Sequence, residues 1–189
     1  MSKEKLKHLG TIPLETDRLL LRPFKRGDTD AMFKNWASDP EVTKYLTWPH
    51  YTSRYEVQLK IDEWVSNYTK PDFYQWAILE KGSDDVIGTI SVVDKNDLVR
   101  LAHIGYCIGR AFQGKGYMTE AFKRLIEFLF EDVGYNRIES RYDPNNPASG
   151  RVMQKAGLKF EGTMRQADWN NQGVCDTNMY AILKSDLAR

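Results

Sequence analysis

The chain has 189 residues, of which 41% are hydrophobic and 28% charged; this length and balance are typical of one globular domain. Its 27 basic and 26 acidic residues leave a net charge of +1, which disfavours general nucleic-acid binding because such proteins carry a basic excess. No apolar run approaches the roughly 20 residues of a membrane helix, and no apolar secretory segment follows the basic N-terminus. Two cysteines, Cys107 and Cys175, and three scattered histidines predict a reducing, cytoplasmic setting without a metal site.

The first third of the chain predicts a strand and two helices. Residues 1–15 form a short N-terminal arm of the single domain, and an apolar run closed by a proline predicts a strand at 18–23. Asp28 precedes a helical segment at 29–37. The capping-box pattern of residues 53–56 opens a second helix, whose apolar side chains follow at helical spacing.

The rest of the chain predicts a mixed sheet around one long helix. Runs rich in β-branched and aromatic residues predict an antiparallel meander, with strands at 73–80, 86–93 and 101–108. The strongest helical pattern follows at 118–133, and Gly134 supplies its stop. Beyond it the pattern predicts a strand, a helix capped by Asn146, and two strands, at 137–142, 147–157, 158–165 and 177–184. The central strand–helix–strand unit implies one parallel crossover in a mostly antiparallel α/β sheet.

The most informative segment, residues 109–120, reads GRAFQGKGYMTE and joins a predicted strand to the strongest helix. Gly114 and Gly116 permit backbone conformations that other residues resist, and they leave room for a ligand. The free N–H groups of the first helical turn then form an anion site suited to a phosphate or diphosphate, with Lys115 and Arg110 at its rim. The alternative is a plain turn between a strand and a helix.

Three phosphate-binding patterns compete for this loop. A nucleoside-triphosphate loop requires a magnesium-binding hydroxyl where Gly116 stands. A dinucleotide fingerprint requires a third glycine where Thr119 stands, and it would open the fold rather than follow several strands. The third pattern is the acetyl-CoA loop, which has Arg or Gln, then Gly three residues later, then Gly or Ala. Gln113 and Gly116 match that pattern, and Met118 stands at its last position.

Residues 104–121 closely resemble the strand–loop–helix segment of the GNAT acetyltransferases, and the resemblance spans about residues 15–184. It continues in the second cofactor segment, residues 146–162, and in tail residues that resemble the branch containing ribosomal-protein N-terminal acetyltransferases: Arg165, Asp176 and Tyr180. The resemblance implies the GNAT fold, a mostly antiparallel sheet with splayed central strands and helices on both faces. It also implies acetyl-CoA as co-substrate, no metal, and direct attack of a primary amine on the thioester.

The same resemblance assigns a cofactor site. It places the pantetheine arm along strand 101–108, where a backbone N–H near Cys107 or Ile108 would stabilise charge on the thioester oxygen. The expected cofactor contacts are Tyr106, Cys107, Ile108, Gln113, Gly114, Lys115, Gly116, Tyr117, Met118, Thr119, Asn146 and Ser149. We expect Cys107 to be a buried apolar thiol rather than a nucleophile.

Catalysis requires a neutral acceptor amine, so a general base is useful. His103 stands where related proteins often carry Glu and is a candidate base; the alternative is an exposed strand histidine. Glu139 and Glu161 are further candidates, each with a surface carboxylate as its alternative. Many GNAT proteins have a tyrosine where this chain has Met153, which leaves Ser149 as the hydroxyl nearest the sulfur.

Aromatic residues of the first third suggest the acceptor side, with Trp36, Tyr45 and Trp48 as candidate contacts and core packing as the alternative. The favoured acceptor is a protein N-terminal α-amine. A polyamine or amino-sugar acetyltransferase is the alternative among enzymes, and a non-catalytic acyl-CoA-binding domain is the alternative from another class. The sequence is compatible with a monomer or a homodimer.

Overall fold

The computed structural model describes residues 5–187, which contain one eight-stranded sheet. The strands are β1 (Leu14–Glu15), β2 (Leu19–Arg22), β3 (Gln75–Glu80), β4 (Val86–Asn96), β5 (Leu101–Ile108), β6 (Arg137–Tyr142), β7 (Lys159–Asn170) and β8 (Gly173–Leu183). Their order in the sheet is β1-β2-β3-β4-β5-β6-β8-β7. All neighbouring pairs are antiparallel except β5 and β6, which confirms the predicted single parallel crossover.

Five helices flank the sheet in the described chain. They are α1 (Thr29–Met32), α2 (Pro40–Thr43), α3 (Arg54–Asn67), α4 (Tyr117–Glu127) and α5 (Pro147–Lys155). Two of them continue in a wider, π-helical turn, α1 at Phe33–Ala37 and α4 at Phe128–Val133. The predicted capping box of α3 is confirmed, because Ser53 Oγ accepts from the Glu56 N–H at 3.4 Å and the Glu56 carboxylate accepts from the Ser53 N–H at 3.0 Å. None of these helices, within residues 5–187, is long and apolar enough to cross a bilayer.

Helices cover both faces of the sheet, as expected, because successive strand residues point to opposite sides. In β3, Trp76 and Ile78 belong to the core that contains α4 and α5. Ala77 and Leu79 belong to the core that contains α1 and α3. Both faces of the central strands are therefore buried, and a ligand site must open at an end or at a gap of the sheet.

That gap lies between β5 and β6. Their pairing ends at His103 with Glu139, and no later pair between the two strands is present in the described chain. One residue further along, Ser140 Oγ donates a 2.7 Å hydrogen bond to the carbonyl of Ile104, where the strands part. The expected splayed strands are thus confirmed.

The strands differ from the sequence prediction mainly at their ends. We expected the second meander strand to end at Val93, but β4 continues to Asn96 through a bulge, so that Asp94 pairs with His103. The hairpin of β7 and β8 is also longer than predicted and reaches the turn at residues 171–172. Within the N-terminal arm, β1 pairs with β2.

Candidate active site

Two cavities meet where β5 and β6 part. The first, of about 320 Å³, is lined by the glycine loop, the start of α4 and the exposed side of α5. The second, of about 650 Å³, includes residues of α1 and α3 and several aromatic rings in its wall. Six residues line both cavities: Tyr45, Leu46, Tyr106, Cys107, Asn146 and Ser149. A molecule in one cavity can therefore meet a molecule in the other at this junction.

The glycine loop forms an anion site at one end of the first cavity. Gly114 and Gly116 adopt left-handed backbone, with φ of 76° and 81°, which costs little only for glycine. Helix α4 begins after Gly116, and the N–H groups of residues 116–119 have no hydrogen-bond partner among residues 5–187. These four residues line the cavity. Free N–H groups at the positive end of a helix dipole suit a phosphate or diphosphate.

The first cavity gathers the predicted cofactor contacts with one exception. Its lining includes Tyr106, Cys107, Ile108, Gln113, Gly114, Gly116, Tyr117, Met118, Thr119, Asn146 and Ser149. Lys115 is outside the lining, because its Nζ lies over the ring of Phe112, 5.4 Å from the ring centre. Its carbonyl is held by Arg18, whose Nη1 donates to it at 3.0 Å.

Helix α5 supplies the positive charge of this cavity. Arg110, expected at the rim, is instead paired with Asp39 at 2.6 Å. The cations in the lining are Arg151 and Lys155, which stand four residues apart and so share one face of α5. Both residues fall in the second cofactor segment, residues 146–162, but neither was among the expected contacts, although basic residues at this spacing beside a predicted anion site are a visible signal.

Polar side chains at the start of α5 face the junction. Asn146 occupies the N-cap position, but the prediction that its side chain caps α5 is wrong, because that side chain makes no capping hydrogen bond. Ser149 Oγ lies 2.9 Å from the hydroxyl of Tyr106, which also donates to the Ser149 carbonyl at 2.9 Å. Burial raises the pKa of Tyr106, so its hydroxyl is neutral. Two hydroxyl groups thus stand together where the cavities meet.

The backbone of β5 alternates between the gap and β4. Ile104 directs its carbonyl across the gap to Ser140 Oγ. The backbone N–H and C=O groups of successive strand residues point in opposite directions. The backbone groups of Tyr106 and Ile108 therefore also point into the gap, and those of Cys107 point toward β4. Of the two backbone positions considered for the thioester oxygen, Ile108 therefore has the suitable direction.

Cys107 is buried, as predicted. Its side chain packs in the core that contains α1 and α3, and burial raises the pKa of the thiol to about 12. The thiolate is the nucleophilic form of cysteine, and at neutral pH this side chain is a thiol.

The three candidate bases belong to one chain of contacts across β5, β6 and β7. His103 Nδ1 lies 3.4 Å from Glu139 Oε1, and Glu139 Oε2 accepts from Arg137 Nε at 2.9 Å. Arg137 also donates twice to Glu161, at 2.9 and 2.6 Å. The hydrogen bond from His103, together with Arg137, lowers the pKa of Glu139, and Arg137 lowers the pKa of Glu161. His103 and Glu139 line the second cavity, whereas Glu161 does not.

Aromatic side chains form much of the wall of the second cavity. Trp36, Tyr45 and Trp48 all line it. Trp48 stacks on Tyr51 with ring centres 5.5 Å apart, whereas Trp36 is fully buried in the core. From the opposite side β7 contributes Trp169, which is 57% exposed.

Three of the four carboxylates of the second cavity were not among the candidates from the sequence: Asp94, Asp143 and Asp168. Asp94 reads as a turn residue in the sequence. The bulge in β4 is what turns both Val93 and Asp94 toward the cavity. Asp143 precedes a proline, which also suggests a turn. Among the described residues, no three or more His, Cys, Asp or Glu side chains are grouped to hold a metal ion.

Comparison with known proteins identifies the family. Residues 18–159 match the family described as the acetyltransferase (GNAT) domain. An uncharacterized N-acetyltransferase, p20, of Bacillus licheniformis is 32% identical over 177 residues, which is 93% of this chain and 98% of that protein. The ribosomal-protein-serine acetyltransferase of Escherichia coli is 27% identical over 136 residues, covering 72% of this chain and 75% of that protein.

Solved structures show the same fold. A GNAT-family acetyltransferase from Bacillus anthracis superposes with a TM-score of 0.81 at 24% identity, covering 92% of this chain and 99% of that chain. A ribosomal-protein α-N-acetyltransferase in complex with coenzyme A superposes with a TM-score of 0.81 at 23% identity, covering 91% and 98%.

The chain therefore belongs to the GNAT acetyltransferase family, within the branch that resembles ribosomal-protein acetyltransferases. It is an acetyl-CoA-dependent N-acetyltransferase, as the sequence predicted.

Proposed function

We propose that this protein moves the acetyl group of acetyl-CoA to a primary amine, with the N-terminal α-amine of a protein as the favoured acceptor. The observation that carries the proposal is the pair of cavities joined through the β5–β6 gap, one ending on the free N–H groups of residues 116–119. One cavity has the donors for a diphosphate, and the other has a candidate base.

The first cavity fits coenzyme A by the chemistry of its lining. The loop N–H groups would bind the diphosphate, and Arg151 and Lys155 would bind a further phosphate. Tyr106 and Ile108 direct backbone groups toward the gap, where the amides of the pantetheine arm could pair with them; the Ile108 carbonyl also accepts from Gln113 Nε2 at 3.2 Å. When bound, acetyl-CoA supplies an activated acyl group at the junction.

In the proposed reaction, His103 removes the proton from the acceptor ammonium through Nε2. Glu139 accepts the Nδ1–H and thereby fixes the tautomer that leaves Nε2 unprotonated. The neutral nitrogen bonds to the thioester carbon, the C–S bond breaks, and the electron pair of that bond stays on sulfur. The nitrogen then loses its second proton, which passes to the thiolate, so that the products are the amide and the free thiol of coenzyme A. Ile108 N–H stabilises the charge on the carbonyl oxygen, while Ser149 Oγ hydrogen-bonds the leaving sulfur.

Relatives support the choice of acceptor. The Escherichia coli relative is named for acetylation of serine in ribosomal protein, and a cytoplasmic location suits such a substrate. Small polyamines and amino-sugars are the alternative acceptors. The protein would act as a monomer or a homodimer.

The test combines binding with turnover. Isothermal titration should show acetyl-CoA binding to the purified chain and no binding of ATP with magnesium. Release of free thiol should then be measured over ribosomal N-terminal peptides that begin with Ser or Ala, over spermidine, and over an amino-sugar. Thiol release with a peptide supports the proposal. Binding without thiol release from any of these amines would refute all three acceptor classes, and absence of binding would refute the cofactor site.

The role of His103 has its own test. Replacing His103 with Gln should lower kcat and remove the rise of rate with pH that a histidine base produces. Replacing Glu161, which lies outside both cavities, with Gln should leave the shape of that profile intact. If the His103→Gln profile matches the wild type, His103 is not the base.

A further inference from the structure

The second cavity has more negative than positive charge. Four carboxylates line it, against two cations and His103; the carboxylates are Asp94, Glu139, Asp143 and Asp168. Of the cations, Arg141 is paired with Asp168 at 2.8 Å and Lys60 with Glu63 at 2.9 Å. Glu139 is paired with Arg137. Asp94 and Asp143 are the carboxylates of this cavity without a cationic partner in residues 5–187.

Asp143 is the unusual member of this set because it is only 7% exposed. Its Oδ1 accepts from the N–H and the side-chain amide of Asn145 at 2.8 and 2.9 Å. Its Oδ2 accepts from the side-chain amide of Asn170 at 2.8 Å. These neutral donors stabilise the carboxylate but bring no positive charge. A buried carboxylate ordinarily has a cation beside it, because an unpaired buried charge is costly.

Asp143 lines the second cavity. A buried anion in a cavity lining that brings no cation to it points to a guest that carries a positive charge.

We propose that Asp143 is a specificity-determining residue that binds a second positive charge of the acceptor, distinct from the amine that is acetylated. The proposal rests on the proposed function. The acceptor is then a primary amine with another cationic group, as in a polyamine or in a peptide with a basic residue next to its N-terminus.

The reacting nitrogen is not the group that Asp143 holds. An amine attacks only after it loses its proton, and a neighbouring carboxylate favours the protonated form. His103, the candidate base, pairs with Glu139, and Asp143 stands four residues beyond Glu139, roughly 13 Å along an extended chain. This separation divides the cavity into a place where a proton is removed and a place where a charge is retained.

Matched acceptors test the proposal. Turnover should be compared for 1,4-diaminobutane against butylamine, and for the peptide Ser-Lys-Gly-amide against Ser-Gln-Gly-amide. We expect the doubly charged member of at least one pair to have a kcat/KM about tenfold higher or more. The diamine and peptide arms show which source of the second charge the cavity accepts. Asp143→Asn should reduce that ratio to near one, mainly through KM, and Asp143→Glu should retain part of it.

Asp176→Asn is the matched control, because it removes the same charge from an exposed site on β8 outside both cavities. It should keep the wild-type ratio. Equal rates for both members of each pair in the wild type, or an unchanged ratio in Asp143→Asn, would overturn the proposal. So would absence of turnover and of diamine binding in a protein that still binds acetyl-CoA. Loss of acetyl-CoA binding itself would count against the proposed function instead.

Discussion

Replacing Gly116 with Asp should abolish most of the affinity for acetyl-CoA without unfolding the protein. Gly116 has φ of 81° and directly precedes α4. Asp and Asn both tolerate left-handed backbone better than other residues with a Cβ. Gly116→Asn is therefore the matched control: it has the same size and similar strain but no charge. The difference between the two variants isolates the electrostatic contribution of the loop.

The size of that difference follows from the position of the new carboxylate. It would stand beside the N–H groups of residues 116–119, where we propose that the diphosphate binds. Two unit charges about 5 Å apart repel by about 0.8 kcal/mol in water and about 3 kcal/mol at the effective dielectric constant of a protein surface. A penalty of about 2 kcal/mol corresponds to roughly 30-fold weaker binding.

Isothermal titration of coenzyme A and of pantetheine against both variants measures this penalty. Gly116→Asp should bind coenzyme A about 30-fold more weakly than Gly116→Asn, and the gap should narrow at high salt because exposed charges are screened. Pantetheine lacks the diphosphate and should not distinguish the variants. Equal coenzyme A affinities, or an equal loss for pantetheine, would refute the assignment of the loop as the diphosphate site.

Three further outcomes follow from the cited contacts. The pKa of Glu139 is lower in the folded protein than its value of about 4.5 in the unfolded chain. Ionised Glu139 therefore stabilises the fold above about pH 4.5, and this stabilisation is lost as pH falls through the pKa of Glu139 in the folded protein. Urea midpoints of wild type and Glu139→Gln should therefore differ at pH 7 and converge in acid; a constant difference would contradict this. Cys107, with its pKa raised to about 12, should react with a disulfide reagent at pH 8 far more slowly than the partly exposed Cys175, as mass spectrometry of the labelled native protein will show. Ser53→Ala should lower the free energy of unfolding by about 1 kcal/mol because it removes a helix cap; an unchanged urea midpoint would count against that cap.

Local pattern was sufficient for most of the fold. The bounds of β5 and β6 agree with the prediction at both ends, because each run has strand-forming residues and turn signals beside it. The sequence did not predict that the helix widens into a π-helical turn at Phe128–Val133. That turn buries Phe128, Leu129 and Phe130 in succession, which a regular helical pattern would not do. These side chains belong to the same core as residues of several strands, and such contacts are not a local property of the sequence.

The proposed cofactor side of the site was predictable for the same reason. Its free backbone donors come from one continuous segment, residues 116–119, and the glycines at and before its start carry the signal. The acceptor side comes from segments that are distant in sequence, such as Trp48 and Trp169. Asn171 makes the link explicit, because its side chain donates to the Thr43 and Trp48 carbonyls at 2.8 Å each. No local pattern predicts a contact between residues more than 120 positions apart.

The register of the β5–β6 pairing explains why the three candidates for the base differ in their contacts. On sequence alone His103, Glu139 and Glu161 are three titratable side chains in three strands. Parallel pairing of β5 with β6 sets Glu139 beside His103, and Arg137 joins both glutamates. Each glutamate is thereby held in its charged form, which makes it a weaker base. His103 is the member whose second ring nitrogen remains without a partner in the described chain, which is why we propose that His103 removes the proton and that Glu139 positions it.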